Sequence, residues 1–226
     1  MKTYLAVVAA LVIFSIPSLS TAAASRPGPY FSVFLGTSFA RDATVSSYDL
    51  WNDAAYSDQV SFDPSVYLGG TGGYDFGFLR LEGELSYRHA NMDSITDSTG
   101  YRFRNVDGNV GAFSTMFNVF FDIHNRSIVT PYLGGGIGFT TLFMSDTTAY
   151  DTRDLSNVVL YDEGDDTVFA AQAGAGIDIA LSRFNSLDVG YRYFRTGKAN
   201  FDTYYDYTSS MRLESHNIMV GFKFKY

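Results

Sequence analysis

Apolar and polar residues alternate at every second position through much of the chain after residue 28. Leu79, Leu81 and Leu85, for example, alternate with charged residues, which is the pattern of a β-strand with one apolar face. A 3.6-residue apolar period, which would indicate amphipathic helices, is not evident in the sequence. The alternation predicts eight strands, near 29–39, 65–76, 78–89, 109–122, 128–143, 167–181, 186–195 and 214–226.

The predicted connections alternate between short and long. Short turns on one side and long loops on the other are typical of outer-membrane barrels, whose long loops lie outside the cell. With an even number of strands, both chain ends lie on the periplasmic side. The short connections are Gly77, 124–126 and 182–185, and the long ones are roughly 40–64, 90–108, 144–166 and 196–213.

The N-terminus has the three parts of a secretory signal. A positive start at Lys2 precedes an apolar run over 4–16, and small residues at 22–24 offer an A-x-A cleavage site. The apolar run is well under the ~20 residues that a membrane-spanning helix needs. We therefore expect residues 1–24 to be a cleaved signal peptide and residues 25–226 to be the barrel domain.

The composition restricts the chemistry. The 226 residues include 17 Tyr, 20 Phe and 21 Gly but no Cys, which excludes disulfides, thiolate catalysis and Cys-based metal sites. The net charge of −8 argues against a nucleic-acid partner, because such a partner requires a basic surface. The aromatic content suits strands and the aromatic belts of membrane proteins.

The alternation also predicts which residues face the barrel lumen. Mid-strand charges of both signs, accompanied by Gly, fit the narrow interior of a closed barrel. Such charges should pair with one another and plug the lumen. The alternative is a narrow ion path through water-filled gaps that the glycines leave beside the plug. A lipocalin-like soluble barrel would reverse the two faces. The predicted interior network is Arg80, Glu82, Glu84, Arg88, Asp178, Asp188, Arg192 and Lys223, with Asp75 as an additional candidate.

Several segments resemble outer-membrane β-barrel and surface-antigen proteins, including the OmpA-type transmembrane domain. Residues 131–139 (PYLGGGIGF), 80–88 (RLEGELSYR) and 190–194 (GYRYF) are similar to strands of that family. The final ten residues resemble the terminal signal read by the barrel assembly machinery. The residues that carry this assembly signal are Ile218, Val220, Phe222, Phe224 and Tyr226.

This resemblance implies an all-β, transmembrane, antiparallel up-and-down barrel of about eight strands in the bacterial outer membrane. The implied partners are outer-membrane lipid, the assembly machinery, periplasmic chaperones and, through the long loops, host or surface ligands. We expect a non-enzymatic protein, without cofactor or metal, that acts in structure or surface recognition, as an adhesin or surface antigen does. A small porin-like channel is the alternative, and an outer-leaflet lipid-modifying enzyme is a third interpretation.

The long loops are acidic and rich in Tyr. Segments 40–64 and 144–166 carry five and seven acidic residues against one Arg each. A solvated acidic surface is favoured over a divalent-cation site, because the spacing of an EF-hand is absent. Tyr with Ser and Asn is typical of recognition surfaces, but aromatic packing that closes the barrel mouth explains it equally well.

Histidine offers the only enzymatic candidates in the sequence. His89 and His216 fall near the outer ends of two strands, and His124 falls in a short turn. A lipid hydrolase could pair His216 with Ser215 or Ser86, but the surrounding residues match no hydrolase motif. Histidines at the water boundary are the favoured interpretation.

Overall fold

A computed structural model describes residues 27–49, 53–125, 127–153, 155–202 and 207–226. Eight long strands build the barrel: β1 (Gly28–Ala40), β4 (Ser65–Asp75), β5 (Leu79–Thr96), β7 (Asn109–Asp122), β8 (Val129–Met144), β11 (Gly164–Ala180), β12 (Asn185–Thr196) and β15 (Glu214–Lys225). Seven shorter strands lie between them: β2 (Ala43–Asp49), β3 (Ala54–Phe62), β6 (Arg104–Asp107), β9 (Thr147–Asp151), β10 (Ser156–Tyr161), β13 (Ala199–Asp202) and β14 (Tyr207–Met211). In this described part of the chain, no helix has the length and apolarity to cross a membrane.

The eight long strands close into an antiparallel barrel. β1 pairs with β4 on one side and with β15 on the other, from Tyr30 opposite Lys225 to Ala40 opposite Ser215. The ring continues from β4 through β5, β7, β8, β11 and β12 to β15. The predicted fold class is confirmed. The predicted signal peptide, residues 1–24, lies outside the described residues and stays a prediction.

Side chains alternate between the lumen and the outer wall. On β1, Val33 and Leu35 are 54% and 62% exposed, whereas Phe34 between them is 5% exposed. Ten residues separate Leu79 from His89 on β5; at about 3.4 Å per residue and a tilt near 40°, the apolar belt is roughly 26 Å tall. Exposed aromatic residues such as Phe78 and Tyr226 mark the turn end of this belt.

The tight turn between β4 and β5 depends on Gly77. Its φ of 98° lies in the left-handed region, where a side chain is disfavoured. Its backbone amide donates to the Asp75 carboxylate over 2.7 Å, and the Phe76 amide donates to the Leu79 carbonyl over 2.8 Å. The predicted short connection is therefore stabilised by its own residues.

The long connections differ from the sequence prediction, because they contain strands. β5 continues to Thr96, beyond the predicted end at residue 89. It pairs there with β3, and β2, β14 and β13 follow in the same sheet. β9 pairs with β10 and β6 in a second sheet. We call the seven short strands and residues 91–96 of β5 the head.

The head has an apolar interior that continues into the outer end of the barrel. Val45, Val60 and Ile95 are each 1% exposed or less. In the sequences of the head, Asp, Ser and Tyr interrupt the apolar residues. The alternation therefore extends over too few residues to be recognised as a strand. The apolar cluster consists of Ala43, Val45, Val60, Met92, Ile95, Phe103, Val110, Ala112, Met116, Leu142, Met144, Ala149, Tyr161, Ala170, Phe194, Ala199, Phe201, Met211 and Leu213.

Inward-facing glycines on β8 make room for side chains of β7. A Cβ atom on Gly136 would overlap the Asn118 amide and the Phe117 carbonyl oxygen. Phe120 fills the corresponding space at Gly134, and the Tyr132 hydroxyl lies against Gly176 on β11. At these glycines the water-filled gaps that the channel interpretation requires are occupied by side chains.

We predict that Gly136→Val destabilises the barrel, because the added side chain would displace Asn118 and the β7 backbone. Overpacking of this kind costs about 1–3 kcal/mol. Urea unfolding in lipid vesicles, followed by the mobility of the unheated protein on a gel, measures the loss. Gly72→Val is the matched control, because a Cβ at Gly72 has no atom within 4 Å and faces outward. Equal unfolding midpoints for the two variants would contradict the prediction.

Candidate functional site

At the inner end of the lumen, two lysines form ion pairs with three carboxylates of the described strands. Lys223 pairs with Asp178, and its Nζ lies 3.8 Å from a carboxylate oxygen of Asp188. Lys225 pairs with Asp75 over 2.9 Å. These charges project from β4, β11, β12 and β15, so the pairs connect strands around the ring.

A second layer of polar contacts lies above these ion pairs, in the middle of the lumen, and Glu84 is at its centre. It pairs with Arg192, and its Oε2 accepts hydrogen bonds of 2.9 Å from both Asn118 and Gln172. The Tyr67 hydroxyl donates to its other oxygen over 3.1 Å. Glu84 itself is 1% exposed, so the carboxylate has exchanged its water for four protein donors.

Arg80 lies between two carboxylates on the same side of the lumen. Its Nε is 2.9 Å from Asp122 and its Nη1 is 3.5 Å from Glu82. The Tyr30 hydroxyl donates to Glu82 over 2.6 Å, and Arg192 reaches Glu82 at 3.8 Å. The Tyr132 hydroxyl donates to Asp188 over 2.6 Å, and the Arg80 guanidinium carbon lies 4.5 Å from the centre of the Tyr132 ring, so Tyr132 connects the inner and middle layers.

Arg88 marks the outer limit of this network. Among the described residues it has no carboxylate within ion-pair distance; it donates to Ser86 and Ser114 over 3.2 and 3.1 Å. Its guanidinium carbon lies 4.4 Å from the centre of the Tyr67 ring and 3.9 Å from that of Phe194. The cation is stabilised by aromatic faces, which suits its position beside the apolar cluster.

All eight residues of the predicted interior network are buried on the lumen side. Seven of them take part in ion pairs, and Arg88 does not. The predicted interior network lacked Asp122 and the polar residues Tyr30, Tyr67, Asn118 and Tyr132; it also lacked Gln172, although the alternation puts that residue on the lumen face with Asp178. The parity of each strand, extended to uncharged positions, would have found them.

The ionic network fills the middle of the lumen, and apolar side chains fill it above Arg88. Phe194, Leu142 and Ala170 from the apolar cluster face inward there, each of them fully buried. Met92, Val110 and Leu213 continue the cluster into the head. An ionic layer and an apolar layer therefore follow one another along the barrel axis.

The outer surface of the head contains a concave region of about 440 Å³. Tyr48 is 40% exposed there, with hydroxyl, amide and ammonium groups around it. Tyr56 stands opposite Ser47 in the β2–β3 register, so its side chain projects from the other face of the sheet. Ser47 and Ser209 hydrogen-bond each other over 2.9 Å beneath the concave region, which holds β2 against β14. We call this region the head groove; its lining includes Ser46, Tyr48, Lys198, Asn200 and Ser210.

Several loop carboxylates hold the head together instead of forming a solvated surface. Asp151 is buried and accepts hydrogen bonds from Arg153 over 2.7 Å and from the Tyr101 hydroxyl over 3.0 Å. The Arg153 hydrogen bonds keep the pKa of Asp151 well below its usual range. Asp58 accepts a 2.7 Å hydrogen bond from Tyr161, and burial raises the pKa of Asp58. Within the described ranges, no group of three or more His, Asp or Glu residues is arranged to hold a metal ion.

The histidines and serines proposed from the sequence point in different directions. His216 faces outward and lies 2.7 Å from the Tyr191 hydroxyl, whereas Ser215 is fully buried on the lumen side and contacts Asn217. Ser86 hydrogen-bonds the buried Arg88. His89 contacts Tyr87 and Asn91 on the outer wall. The His–Ser pairs that a lipid hydrolase would require are therefore not assembled among these residues.

The residues of the predicted assembly signal face the outer wall of β15. Ile218 and Val220 are exposed, Phe222 and Phe224 are half-buried, and Tyr226 follows the end of the strand. Phe224 stacks on Phe31 of β1 with ring centres 4.6 Å apart. These residues lie along the seam where the chain ends pair.

Comparison with known proteins agrees with the barrel architecture described above. A family model described as the outer membrane protein β-barrel domain matches residues 6–224. The outer membrane protein PagN of Salmonella typhimurium is 24% identical over 249 residues, covering 100% of each chain.

Two solved structures share the fold. OprG of Pseudomonas aeruginosa has a TM-score of 0.54 at 16% identity, over 89% of this chain and 98% of its own. The protease OmpT of Escherichia coli has a TM-score of 0.54 at 8% identity, over 92% and 99%. At these identities the likeness describes architecture and not activity.

We predict that Glu84→Gln destabilises the barrel, because it removes the nearer of the two carboxylates that face the buried Arg192 cation and leaves only Glu82, 3.8 Å away. Breaking a buried pair in this way costs about 3–5 kcal/mol. Urea unfolding in vesicles measures the effect, with the exposed Glu163→Gln as the matched control. A Glu84→Gln protein as stable as its control would mean that the network contributes little to the fold.

Proposed function

Because this chain belongs to the family of outer membrane protein β-barrel domains, we propose that it acts at the bacterial cell surface as a non-enzymatic recognition protein. It is a protein of the bacterial outer membrane, and its barrel is in contact with membrane lipid. The proposal assigns recognition to the head, which projects from the long-loop end of the barrel. The head groove is the proposed contact surface.

The observation that carries this proposal is the double closure of the lumen. Ion pairs centred on Glu84 and Arg192 fill its middle, and the apolar cluster fills its outer end. A solute would have to separate buried charges and then displace packed apolar side chains. This favours the outer surface as the working part of the molecule and disfavours the channel interpretation.

An enzymatic role has little support in the described residues. His216 and Ser215 occupy opposite faces of β15, so a proton cannot pass directly between them. The fold itself does not decide the question, since a protease shares it. No serine hydroxyl hydrogen-bonds a histidine in the described part of the chain, and this is the reason that we favour recognition.

The head groove has the chemistry of an adaptable contact surface. Tyr48 offers a large aromatic face at low entropic cost, while Ser46, Asn200 and Lys198 offer donors and acceptors around it. The apolar cluster beneath makes the groove rigid, so binding does not have to order a flexible loop. Such a groove suits a polar ligand with flat faces, for example a sugar chain.

Two further parts of the proposal concern export. We assign residues 1–24 to a cleaved signal peptide, on the strength of the sequence pattern. We also assign recognition by the assembly machinery and periplasmic chaperones to Ile218, Val220, Phe222, Phe224 and Tyr226. Their shared outward face on the last strand supports this assignment.

We predict that the purified protein is electrically silent in planar lipid bilayers, because both lumen layers block ions. Glu84→Gln loosens the ionic layer only, so it too should show no steady current while the apolar cluster is intact. Single-channel recording makes the measurement. Steady currents through the natural protein that change in Glu84→Gln would favour the channel instead.

We predict that the protein in lipid nanodiscs binds immobilised oligosaccharides through the head groove. Tyr48→Ala should weaken binding at least tenfold, because the aromatic face of the groove is lost. Tyr150→Ala, in the other head sheet, is the matched control. Equal binding by Tyr48→Ala and the control would exclude the groove as the contact surface. Deletion of 144–166 is a poorer test, because it removes Ala149 and Tyr161 from the apolar cluster.

A further inference from the structure

We propose that the outer wall of β1, β15 and β12 binds one phosphorylated, multiply acylated lipid of the outer leaflet. The lipid phosphates would contact an arginine cluster at the loop end of these strands, and its acyl chains would lie in the apolar groove below. We call the cluster of Arg41, Arg195, Arg212 and Glu214 the rim site. This inference does not depend on the head groove, which lies higher on the molecule.

Strand pairing brings the cations of the rim site together. Arg195 on β12 lies opposite Glu214 on β15, and the Arg41 amide donates to the Glu214 carbonyl on the other side. Arg212 precedes Glu214 by two residues and lines a concave pocket of about 360 Å³ with Arg41. The register of β13 and β14, in which Ala199 pairs with Met211, brings Lys198 to the level of Arg212.

A single carboxylate holds two of these arginines in place. Glu214 lies 3.1 Å from Arg41 and 3.1 Å from Arg195, and it also accepts a 2.9 Å hydrogen bond from the Tyr193 hydroxyl. The arginine side chains remain 60% and 51% exposed, so most of their donors face outward. Oriented guanidinium groups are the preferred partners of phosphate oxygens.

The rim site contrasts with the rest of the head. Two arginines in the connections of the head lie against aspartates instead. Arg102 lies against Asp93, and Arg153 lies against Asp151 and Asp97. At the rim site three arginines share Glu214 and the neighbouring Asp42. Three cations against two carboxylates leave one unbalanced positive charge at the rim site, which an anion can neutralise.

Directly below the rim site, the same strands become aromatic and then apolar. Phe39, His216 and Tyr193 form the next outward row by register. Below them Leu35, Val220 and Leu187 line a shallow groove of about 320 Å³, floored by Gly221. The order of cation, aromatic ring and apolar groove is the order of phosphate, interface and acyl chain in a lipid.

The spacing matches a lipid as well. Six residues of β15 separate Glu214 from Val220, which is about 20 Å along the strand. An acyl chain attached to a headgroup at the rim site can reach the groove at that distance. A free phosphate would use the arginines alone, so the groove is the reason to assign the site to a lipid.

The test measures lipid retained by the detergent-purified protein, using native mass spectrometry. The probe is lipid A, a diphosphorylated, multiply acylated disaccharide, and its deacylated bisphosphate headgroup is the second ligand. We expect the protein to retain lipid A and to lose the headgroup. Arg41→Gln, Arg195→Gln and Arg212→Gln combined should weaken lipid A retention at least tenfold.

The control variant combines Arg102→Gln with Arg183→Gln, two exposed arginines far from the rim site. Gel mobility before heating shows that each variant is folded. Equal lipid A retention by the triple variant and the control would overturn the proposal. Equally tight binding of the deacylated headgroup would also overturn it, because the site would then be one for a free anion.

Discussion

Acidic and basic side chains inside the barrel lie within reach of one another because eight strands enclose a lumen just wide enough for side chains. A charge placed there has lost its water, so it must find a counter-ion or a set of hydrogen bonds. Glu84 has both, in Arg192 and in the amides of Asn118 and Gln172. The closely spaced network, the glycines that make room for it and the closure of the lumen all follow from this constraint.

The barrel could be predicted from the sequence because its strands are long enough for the period of two to repeat many times. The head could not, since its strands are as short as the four residues of β6 and β13. Val45 and Val60 lie on paired strands that are otherwise rich in Ser, Asp and Tyr, and they stand opposite Asp58 and Ala43, respectively. Their burial depends on a partner strand, and no local pattern carries that information.

The inward-facing charges of the lumen could be predicted from the sequence, but their contacts could not. Charge and parity identified Arg80, Glu82 and Arg192 as inward-facing residues, but parity cannot tell which cation meets which carboxylate. Arg88 is the example: Tyr67 lies directly opposite it on the preceding barrel strand β4, but its other aromatic partner, Phe194, comes from β12, which is distant in sequence. Loop carboxylates such as Asp151 look like surface charge in the sequence and turn out to be structural, because Arg153 and Tyr101 are folded against them.

The seam between β1 and β15 joins the two ends of the described barrel, with Tyr30 opposite Lys225. A contact between residues so far apart in sequence carries a large entropy of loop closure, so it should form late and slowly during folding. Until then both terminal strands present open backbone edges that can pair with another chain. The kinetics of this one closure therefore set how long the nascent protein is exposed to aggregation.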